Sequence, residues 1–158
     1  MASNDMKARC TKFFADAIKE VQEQTAIQLK YLGEDLVNKN RIRSKEDSWT
    51  DRTGNLRSSI GASVVVGGKE YFRTDFQQVK DGEEGVRKGN ELLDTEAMLH
   101  KQPYALIVGA GMEYASYVEE FHHRDVLAST ELQARKEIGS YLQDAIDNAL
   151  TRINRWKI

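Results

Sequence analysis

Hydrophobic positions at the start of the chain recur with the period of an α-helix. The positions that fall on one face by steps of three and four are Cys10, Phe14, Ala17, Val21, Thr25, Gln28 or Leu29, Leu32 and Leu36. They predict a helix over residues 4–38, capped by Ser3 or Asn4, that bends or ends near Gly33. A straight helix of this length would span about 52 Å, whereas a compact domain of this size is about 40 Å across. We therefore expect some bending near Gly33 and some packing on another subunit.

Polar residues then interrupt the pattern before a β-hairpin. Residues 41–57 are polar and rich in turn formers, so they predict a loop. Apolar side chains alternate in residues 58–66, which predicts a strand with one buried face. Gly67-Gly68 is a hairpin turn signal, and residues 69–79 are predicted to return as the second strand.

The stretch 67–103 is predicted to be an extended hairpin or a loop insertion. Within it, residues 80–91 are charged and rich in glycine, which predicts a mobile tip. Residues 92–102 fit either a short helix or a third strand, and the pattern does not decide between them.

The remainder of the chain returns to helical patterns after one short strand. Residues 104–108 are an apolar run that predicts a strand, and residues 113–121 carry a stripe that predicts a short helix. A last helix is predicted to start at Ser129 or Thr130 as its cap. Its apolar positions are Leu132, Ile138, Leu142, Ala145, Ala149, Ile153 and Trp156. These elements predict one α+β domain over residues 1–158, with both terminal helices on one face of an antiparallel or mixed sheet.

Charge and composition narrow the functional classes. The chain has 158 residues, a formal net charge of -2 and a pI near 6.0, so it lacks the broad basic surface of a duplex-binding protein. Cys10 is the only cysteine, which excludes an intramolecular disulfide and a cysteine-based zinc site. The sequence carries no secretory signal and no membrane-spanning run, and we expect a reducing cytoplasm or a particle assembled there.

Gly109-Ala110-Gly111 is a candidate for nucleotide binding, because a dinucleotide site begins with a strand followed by closely spaced glycines. Such a site needs a third glycine three positions later so that helix and strand can approach. Here Tyr114 occupies that position. We therefore interpret Gly109 and Gly111 as glycines that relieve crowding in a tight turn. A small ligand-binding or enzymatic domain that uses this turn stays as the alternative.

Other candidates for metal binding or catalysis are weak. His122 and His123 are adjacent, so a helix would point them about 100° apart, and their acidic neighbours are common surface residues. Cys10 lies on the predicted apolar face, and no serine sits in a G-x-S-x-G context. We expect no catalytic residue, no metal and no cofactor.

Two short motifs, taken in order, are more specific. The first is T-G-N-L-R-S-S-I at residues 53–60, and the second is V-G-A-G-M-E-Y-A-S-Y-V-E at residues 108–119. This ordered pair, with a long helix on each side, resembles the tail-completion or neck proteins of long-tailed bacteriophages, which act as head–tail connectors. The resemblance spans most of residues 5–155.

The resemblance implies a structural virion protein of the neck or tail, assembled in the host cytoplasm, with no enzymatic activity. Members of this family form rings between the phage head and tail. The implied partners are further copies of the chain, head-closure or portal-complex proteins, and tail-terminator or tail-tube proteins. Double-stranded DNA would pass through the ring without sequence-specific binding. A tail-terminator subunit, which caps the tail tube, is the alternative within the structural class.

The resemblance also assigns roles to individual residues. The first motif would form the turn that starts the sheet, and the second would form a helix packed over it. The residues concerned are Thr53, Gly54, Leu56, Arg57, Ser59, Gly109, Tyr114, Tyr117 and Glu119.

Overall fold

The computed structural model describes residues 2–43, 49–121 and 125–156, with the side chains of residues 2–4 and Phe121 left undescribed. Its elements are, in chain order, α1 (Ala2–Arg41), α2 (Asn55–Ser58), β1 (Ile60–Val66), β2 (Lys69–Arg73), α3 (Glu83–Leu99), β3 (Tyr104–Ala110), α4 (Ala115–Phe121) and α5 (Ala128–Ile153). The predicted α+β class is confirmed, with a long helix at each end and a short helix before the last one.

The strands form an antiparallel sheet in the order β2-β1-β3. Gly67 and Gly68 make the predicted turn between β1 and β2. Their φ angles of 56° and 80° are both positive, as a type I′ hairpin turn requires. Residues 60–65 of the central strand are all buried, because helices cover both faces of the sheet.

Glycines at two contacts show that α1 and α3 lie on opposite faces of this sheet. A Cβ at Gly33 of α1 would lie 3.3 Å from the Cβ of Ala62 and 3.1 Å from the Cδ1 of Leu106. On the other face, a Cβ at Gly109 would lie 2.7 Å from the Cδ2 of Leu92 in α3. Close approach of helix to sheet at both places therefore depends on glycine.

α5 packs on α1 and runs antiparallel to it. Lys39 near the end of α1 contacts Glu137 early in α5 at 3.4 Å, whereas Glu20 contacts Arg152 near the end of α5, also at 3.4 Å. Both terminal helices therefore lie on the same side of the sheet, as predicted, with α1 against the strands and α5 against α1.

α1 is one unbroken helix of 40 residues that is longer than predicted at both ends. It begins at Ala2, so the prediction of an N-cap at Ser3 or Asn4 is wrong. It continues through Gly33 to Arg41, so the predicted end near Gly33 is wrong as well. The glycine lies where the helix touches the sheet, and the helix does not need to end there.

Only the second half of α1 is buried. Residues 5–23 are exposed or half-buried, and full burial begins at Gln24, which is 3% exposed. Leu32 and Leu36 lie in the core as predicted, but Cys10 is exposed, so the predicted core face is wrong for the first half. The predicted helical period is correct. The predicted burial is wrong for the first half because the sheet is shorter than the helix that lies on it.

The prediction of an extended hairpin or loop over 67–103 is wrong beyond Arg73. β2 ends at this residue rather than at Val79, and a helix, α3, follows after a short connection. The segment 80–91, predicted to be a mobile tip, therefore contains the first half of a packed helix. The ambiguous segment 92–102 is helical up to Leu99.

The glycines of α3 explain this error. A Cβ at Gly85 would lie 2.1 Å from the backbone oxygen of Asn55, and a Cβ at Gly89 would lie 2.3 Å from the Cε1 of Phe76. Both glycines are buried at helix contacts. They permit close packing, and the sequence pattern alone does not distinguish this use of glycine from mobility.

The start of α5 differs by one or two residues from the prediction. The helix begins at Ala128, so neither Ser129 nor Thr130 is its N-cap. Asp125 acts from further upstream, where its carboxylate accepts a hydrogen bond from the backbone N–H of Ser129 at 3.0 Å. Thr130 is buried and its hydroxyl accepts a hydrogen bond from the Asn40 amide at 2.9 Å.

Candidate functional site

The first motif forms a tight turn whose backbone is held by Asp51. Gly54 has a φ of 87°, and a Cβ there would lie 1.7 Å from the backbone oxygen of Val79, so only glycine fits. The Asp51 carboxylate accepts hydrogen bonds from the backbone N–H of Gly54 at 3.0 Å and of Arg57 at 3.2 Å. This turn leads through α2 into the sheet, which begins at Ile60.

The side chain of Arg57 ties this turn to the end of α1. It donates hydrogen bonds to the backbone oxygens of Arg41 and Arg43, the latter at 3.1 Å. Its guanidinium also lies 5.1 Å from the ring centre of Trp49 and 3.9 Å from the carboxylate of Asp51. These contacts hold the loop against the end of α1.

Leu56 and Ser59 are both buried beside this turn. Leu56 is 1% exposed. The Ser59 hydroxyl donates a hydrogen bond to the backbone oxygen of Leu56 at 2.8 Å. The backbone oxygen of Ser59 accepts a hydrogen bond from the N–H of Gly111 at 3.1 Å. The two motifs, about fifty residues apart in sequence, are therefore joined through the backbone beside the start of β1.

Glu119 of the second motif holds the start of α5. Its carboxylate accepts hydrogen bonds from the backbone N–H groups of Leu127 at 3.0 Å and Ala128 at 2.6 Å. A carboxylate at this position satisfies free N–H groups and suits the positive end of the helix dipole. Tyr117, two residues earlier in α4, is 52% exposed.

The side chains of the two motifs meet at Tyr114. Burial raises the pKa of its hydroxyl, the negative charges of Asp51 and Glu84 raise it further, and a hydrogen bond with Thr53 opposes them. These residues line an open cleft of about 590 Å³, and its apolar wall includes Trp49. The raised pKa keeps the Tyr114 hydroxyl protonated near neutral pH, so it can donate a hydrogen bond in this cleft.

The turn at Gly109 and Gly111 is filled by α3. A Cβ at Gly111 would lie 2.3 Å from the backbone oxygen of Lys88, and the equivalent position at Gly109 meets Leu92. On this side the turn has no space for a phosphate. The glycines allow a strand end and a helix to approach each other, which is the role that the sequence analysis preferred.

A second surface, which the sequence analysis did not predict, is an apolar groove between β3 and α5. Two adjoining cavities of about 590 and 480 Å³ share Leu106, Glu131 and Ala134 in their walls. We call this surface the groove. Its main apolar side chains are Leu29, Leu106, Val108, Ala134, Ile138 and Leu142.

Carboxylates predominate at the rim of the groove. Glu119, Glu120 and Glu131 line it, against one basic residue, Arg135. Arg135 is already paired with Glu131 at 2.8 Å. The rim is therefore acidic around an apolar floor.

One wall of the groove is the outer edge of β3. The N–H of Gly111 bonds to Ser59 and the N–H of Gly67 bonds to Pro103, so the odd-numbered residues of β3 direct their backbone groups to β1. The even-numbered residues direct theirs outward, and no described strand pairs with this edge. An uncharged open edge is a surface to which another chain can bind.

The exposed start of α1 is a third feature, and we call residues 5–18 the arm. Its largest apolar side chains are strongly exposed: Met6 is 57% exposed, Phe14 65% and Ile18 59%. Phe13 contacts Trp156 near the described end of the chain, with ring centres 6.0 Å apart. The residues before Phe13 therefore extend past the part of α5 that the structure describes.

Two further kinds of feature concern the described ranges 2–43, 49–121 and 125–156, namely metal-binding clusters and membrane-spanning helices. No group of three or more His, Cys, Asp or Glu side chains there is placed to hold a metal ion. His122 and His123 lie outside these ranges. No helix within them combines the length and the apolar character needed to cross a bilayer.

Comparisons of the chain with protein-family models, with curated proteins and with solved structures find no match. The role of the protein is therefore inferred from its own surfaces. The groove escaped sequence analysis because it forms between β3 and α5, which are separate segments. The arm had one signal in the sequence, namely a first helix longer than the domain that it belongs to.

Proposed function

We propose that this chain is a structural subunit of the neck of a long-tailed bacteriophage, in which copies form a ring around the DNA channel between head and tail. The role requires no catalytic residue and no cofactor. The neck assignment rests on the resemblance of the two ordered motifs. The observation in the structure that supports a ring subunit is the amount of apolar surface on α1 and α5 that this fold leaves uncovered.

Four apolar side chains on the two helices illustrate this surface. Phe14 and Ile18 of α1 are 65% and 59% exposed, and Ile146 and Leu150 of α5 are 45% and 50% exposed. Single exposed apolar residues are common in monomers, whereas groups of them mark interaction surfaces. Association with further copies would bury these side chains, which favours a subunit of an assembly.

The way in which the motif residues are used supports a structural role. Asp51, Arg57 and Glu119 make their contacts with the protein's own backbone, at the first turn and at the start of α5. Polar groups used in this way stabilise loops and helix ends. They hold together the segments that carry the arm and the groove.

The net charge of -2 suits a conduit for DNA. A strongly positive channel would hold the passing phosphates, because each neutralised phosphate adds to the affinity. The proposed partners are further copies of the chain, a head-closure or portal-complex protein on one side and a tail-terminator or tail-tube protein on the other. The alternative within the structural class is a tail-terminator subunit, which caps the tail tube and would also self-associate.

Binding of a small ligand is the second candidate function. The cleft beside Tyr114 and Thr53 favours it, since it is open and combines apolar with hydrogen-bonding side chains. The Gly109–Gly111 turn does not, because α3 fills it.

The experiment that separates these functions combines three measurements on the purified chain. Its mass is measured by light scattering at several concentrations, its particles are imaged by negative-stain electron microscopy, and its unfolding temperature is measured with nucleotides and divalent cations. We expect self-association into closed rings and no shift of the unfolding temperature. A chain that stays monomeric, or a large shift with one ligand, would overturn the structural proposal.

A further inference from the structure

The arm cannot reach the groove of its own chain. α1 is one continuous helix from Ala2 to Arg41. The groove lies beside its buried half, at Leu29 and Leu36, whereas the arm lies at the opposite end of the same helix. Folding the arm back would require breaking the helix, so any groove that receives an arm belongs to another copy.

The apolar stripe of the arm has the form of a helix that binds in a groove. At about 100° per residue, Met6, Cys10, Phe14 and Ile18 fall within roughly a third of the helix circumference. All four are exposed. Amphipathic helices bind apolar grooves through residues at this spacing.

The charges of the arm and of the groove rim are complementary. Lys7 and Arg9 lie on either side of the apolar stripe by helical geometry. Lys12 falls on the opposite side of the helix, together with Asp5 and Asp16. Of the three carboxylates at the rim of the groove, one is paired with the rim arginine and one holds the start of α5, and the rim stays acidic on balance. An arm in the groove would therefore place basic side chains beside acidic ones. This favours contact between an arm and a groove over contact between two arms.

We propose that the arm of one copy binds in the groove of the next copy, with its apolar stripe on the groove floor and Lys7 and Arg9 beside the acidic rim. Each copy then gives one arm and receives one, so the contact is head-to-tail and can close into a ring. This inference rests on the proposed function, because it specifies the contact through which the proposed ring forms.

Two matched variants test the contact. Phe14→Asp places a charge on the arm, and Leu142→Asp places one on the groove, where the side chain is 38% exposed. Leu99→Asp is the control, since this residue is 67% exposed at the end of α3, outside both surfaces. Mass is measured by light scattering for each variant alone and for an equimolar mixture of the first two, after circular dichroism has shown that each variant is folded.

We expect each of the first two variants alone to be monomeric, and the control to associate like the wild type. The mixture should form a one-to-one dimer and nothing larger, because only one intact arm and one intact groove remain per pair. A mixture that stays monomeric would overturn the proposal, as would either variant that still associates alone. Association through the open edge of β3 would let either variant associate alone.

A cross-linking experiment gives a second readout that does not depend on those variants. Cys10 is the only cysteine and lies in the arm, so Ala134→Cys adds one thiol to the groove, one turn of α5 from the rim residue Glu131. Mild oxidation should then give covalent dimers, trimers and higher species, whereas the control Ser140→Cys should not. Dimers alone in both variants would indicate contact between two arms and overturn the proposal.

The same data separate failure of this inference from failure of the proposed function. Wild-type rings that persist in both aspartate variants would overturn the arm–groove contact and leave the structural role standing. A wild-type chain that never associates would overturn the structural role itself.

Discussion

At the scale of residues, two carboxylates fix the local backbone next to the two motifs. Asp51 fixes the backbone of the first turn, and Glu119 fixes the start of α5. Each accepts two backbone hydrogen bonds, and a carboxylate that does so replaces the helix or sheet contacts that a loop lacks. Asp51 lies in an irregular segment and Glu119 in the last turn of α4, and each holds backbone N–H groups that have no partner in a helix or sheet.

Gly54 provides a test of the turn. Replacing it with alanine should lower the free energy of unfolding by about 1–3 kcal/mol or more, because the residue adopts a positive φ and its new Cβ would meet the backbone of Val79. Gly67→Ala is the matched control, since it also has a positive φ but open space around it. Urea unfolding should show a clearly larger loss at Gly54, and equal losses at both positions would contradict the packing argument.

Asp125 gives the protein a contribution to stability that depends on pH. Burial by itself raises the pKa of its carboxyl, but hydrogen bonds from Ser129 and the charge of Arg43 lower it by more, so the pKa lies below its ordinary value. A carboxyl whose pKa is lowered by folding contributes its full stabilisation at pH values above its ordinary pKa, which is about 4. This contribution is lost as the pH falls through the pKa that the carboxyl has in the folded protein.

The corresponding prediction concerns Asp125→Asn. The wild type should be more stable than this variant near pH 7, and the difference should shrink as the pH falls from about 6 to about 2. Urea unfolding at several pH values measures the difference. If the difference stays constant over this range, the charge of Asp125 contributes nothing to it.

At the scale of elements, replacing a glycine by alanine should have opposite effects on stability in α3 and in α5. Gly89→Ala in α3 should destabilise the protein by about 1–3 kcal/mol, because a Cβ there would meet Phe76 and the backbone of Ser59. Gly139→Ala in α5 should stabilise it by about 0.5–1 kcal/mol, since nothing lies within 4 Å and alanine favours helix. Thermal unfolding should move in opposite directions for the two variants, and equal shifts would contradict this description of α3.

The glycines also show which elements could be predicted from the sequence and which could not. The period of α1, the turn at Gly67 and Gly68 and the last helix follow from local pattern, so they were predicted well. α3 was missed because Gly85 and Gly89 pack against residues that are distant in sequence. A glycine that permits such an approach looks the same in sequence as a glycine in a flexible loop.

Cys10 illustrates the same limit for burial. Its position on a regular apolar stripe predicted a core contact, yet it is exposed. The helical period identifies the apolar face of α1. The position of the sheet determines which part of that face is buried within the chain. The residues of the two motifs were identified from sequence, whereas the groove depends on how α5 lies beside β3.

At the scale of the whole molecule, the charges of the arm and the groove rim predict how association depends on salt. Raising the salt concentration from about 0.05 to about 0.5 M should weaken wild-type association several-fold, because exposed charges are screened. A variant with Lys7 and Arg9 replaced by glutamine should associate more weakly at low salt and respond less to added salt. Sedimentation velocity at several salt concentrations measures both effects, and an unchanged salt response in the variant would contradict the charge argument.

The unbroken course of α1 has a mechanical consequence for such an assembly. The same helix that lies on the sheet also carries the arm, so in the proposed assembly its length would set the distance between neighbouring subunits. Seven added residues in the exposed half would move the tip outward by about 10 Å with almost the same side facing the neighbour, whereas five would turn that side away. The spacing of subunits, and with it the circumference of the ring, would thus be encoded in the length of a single helix.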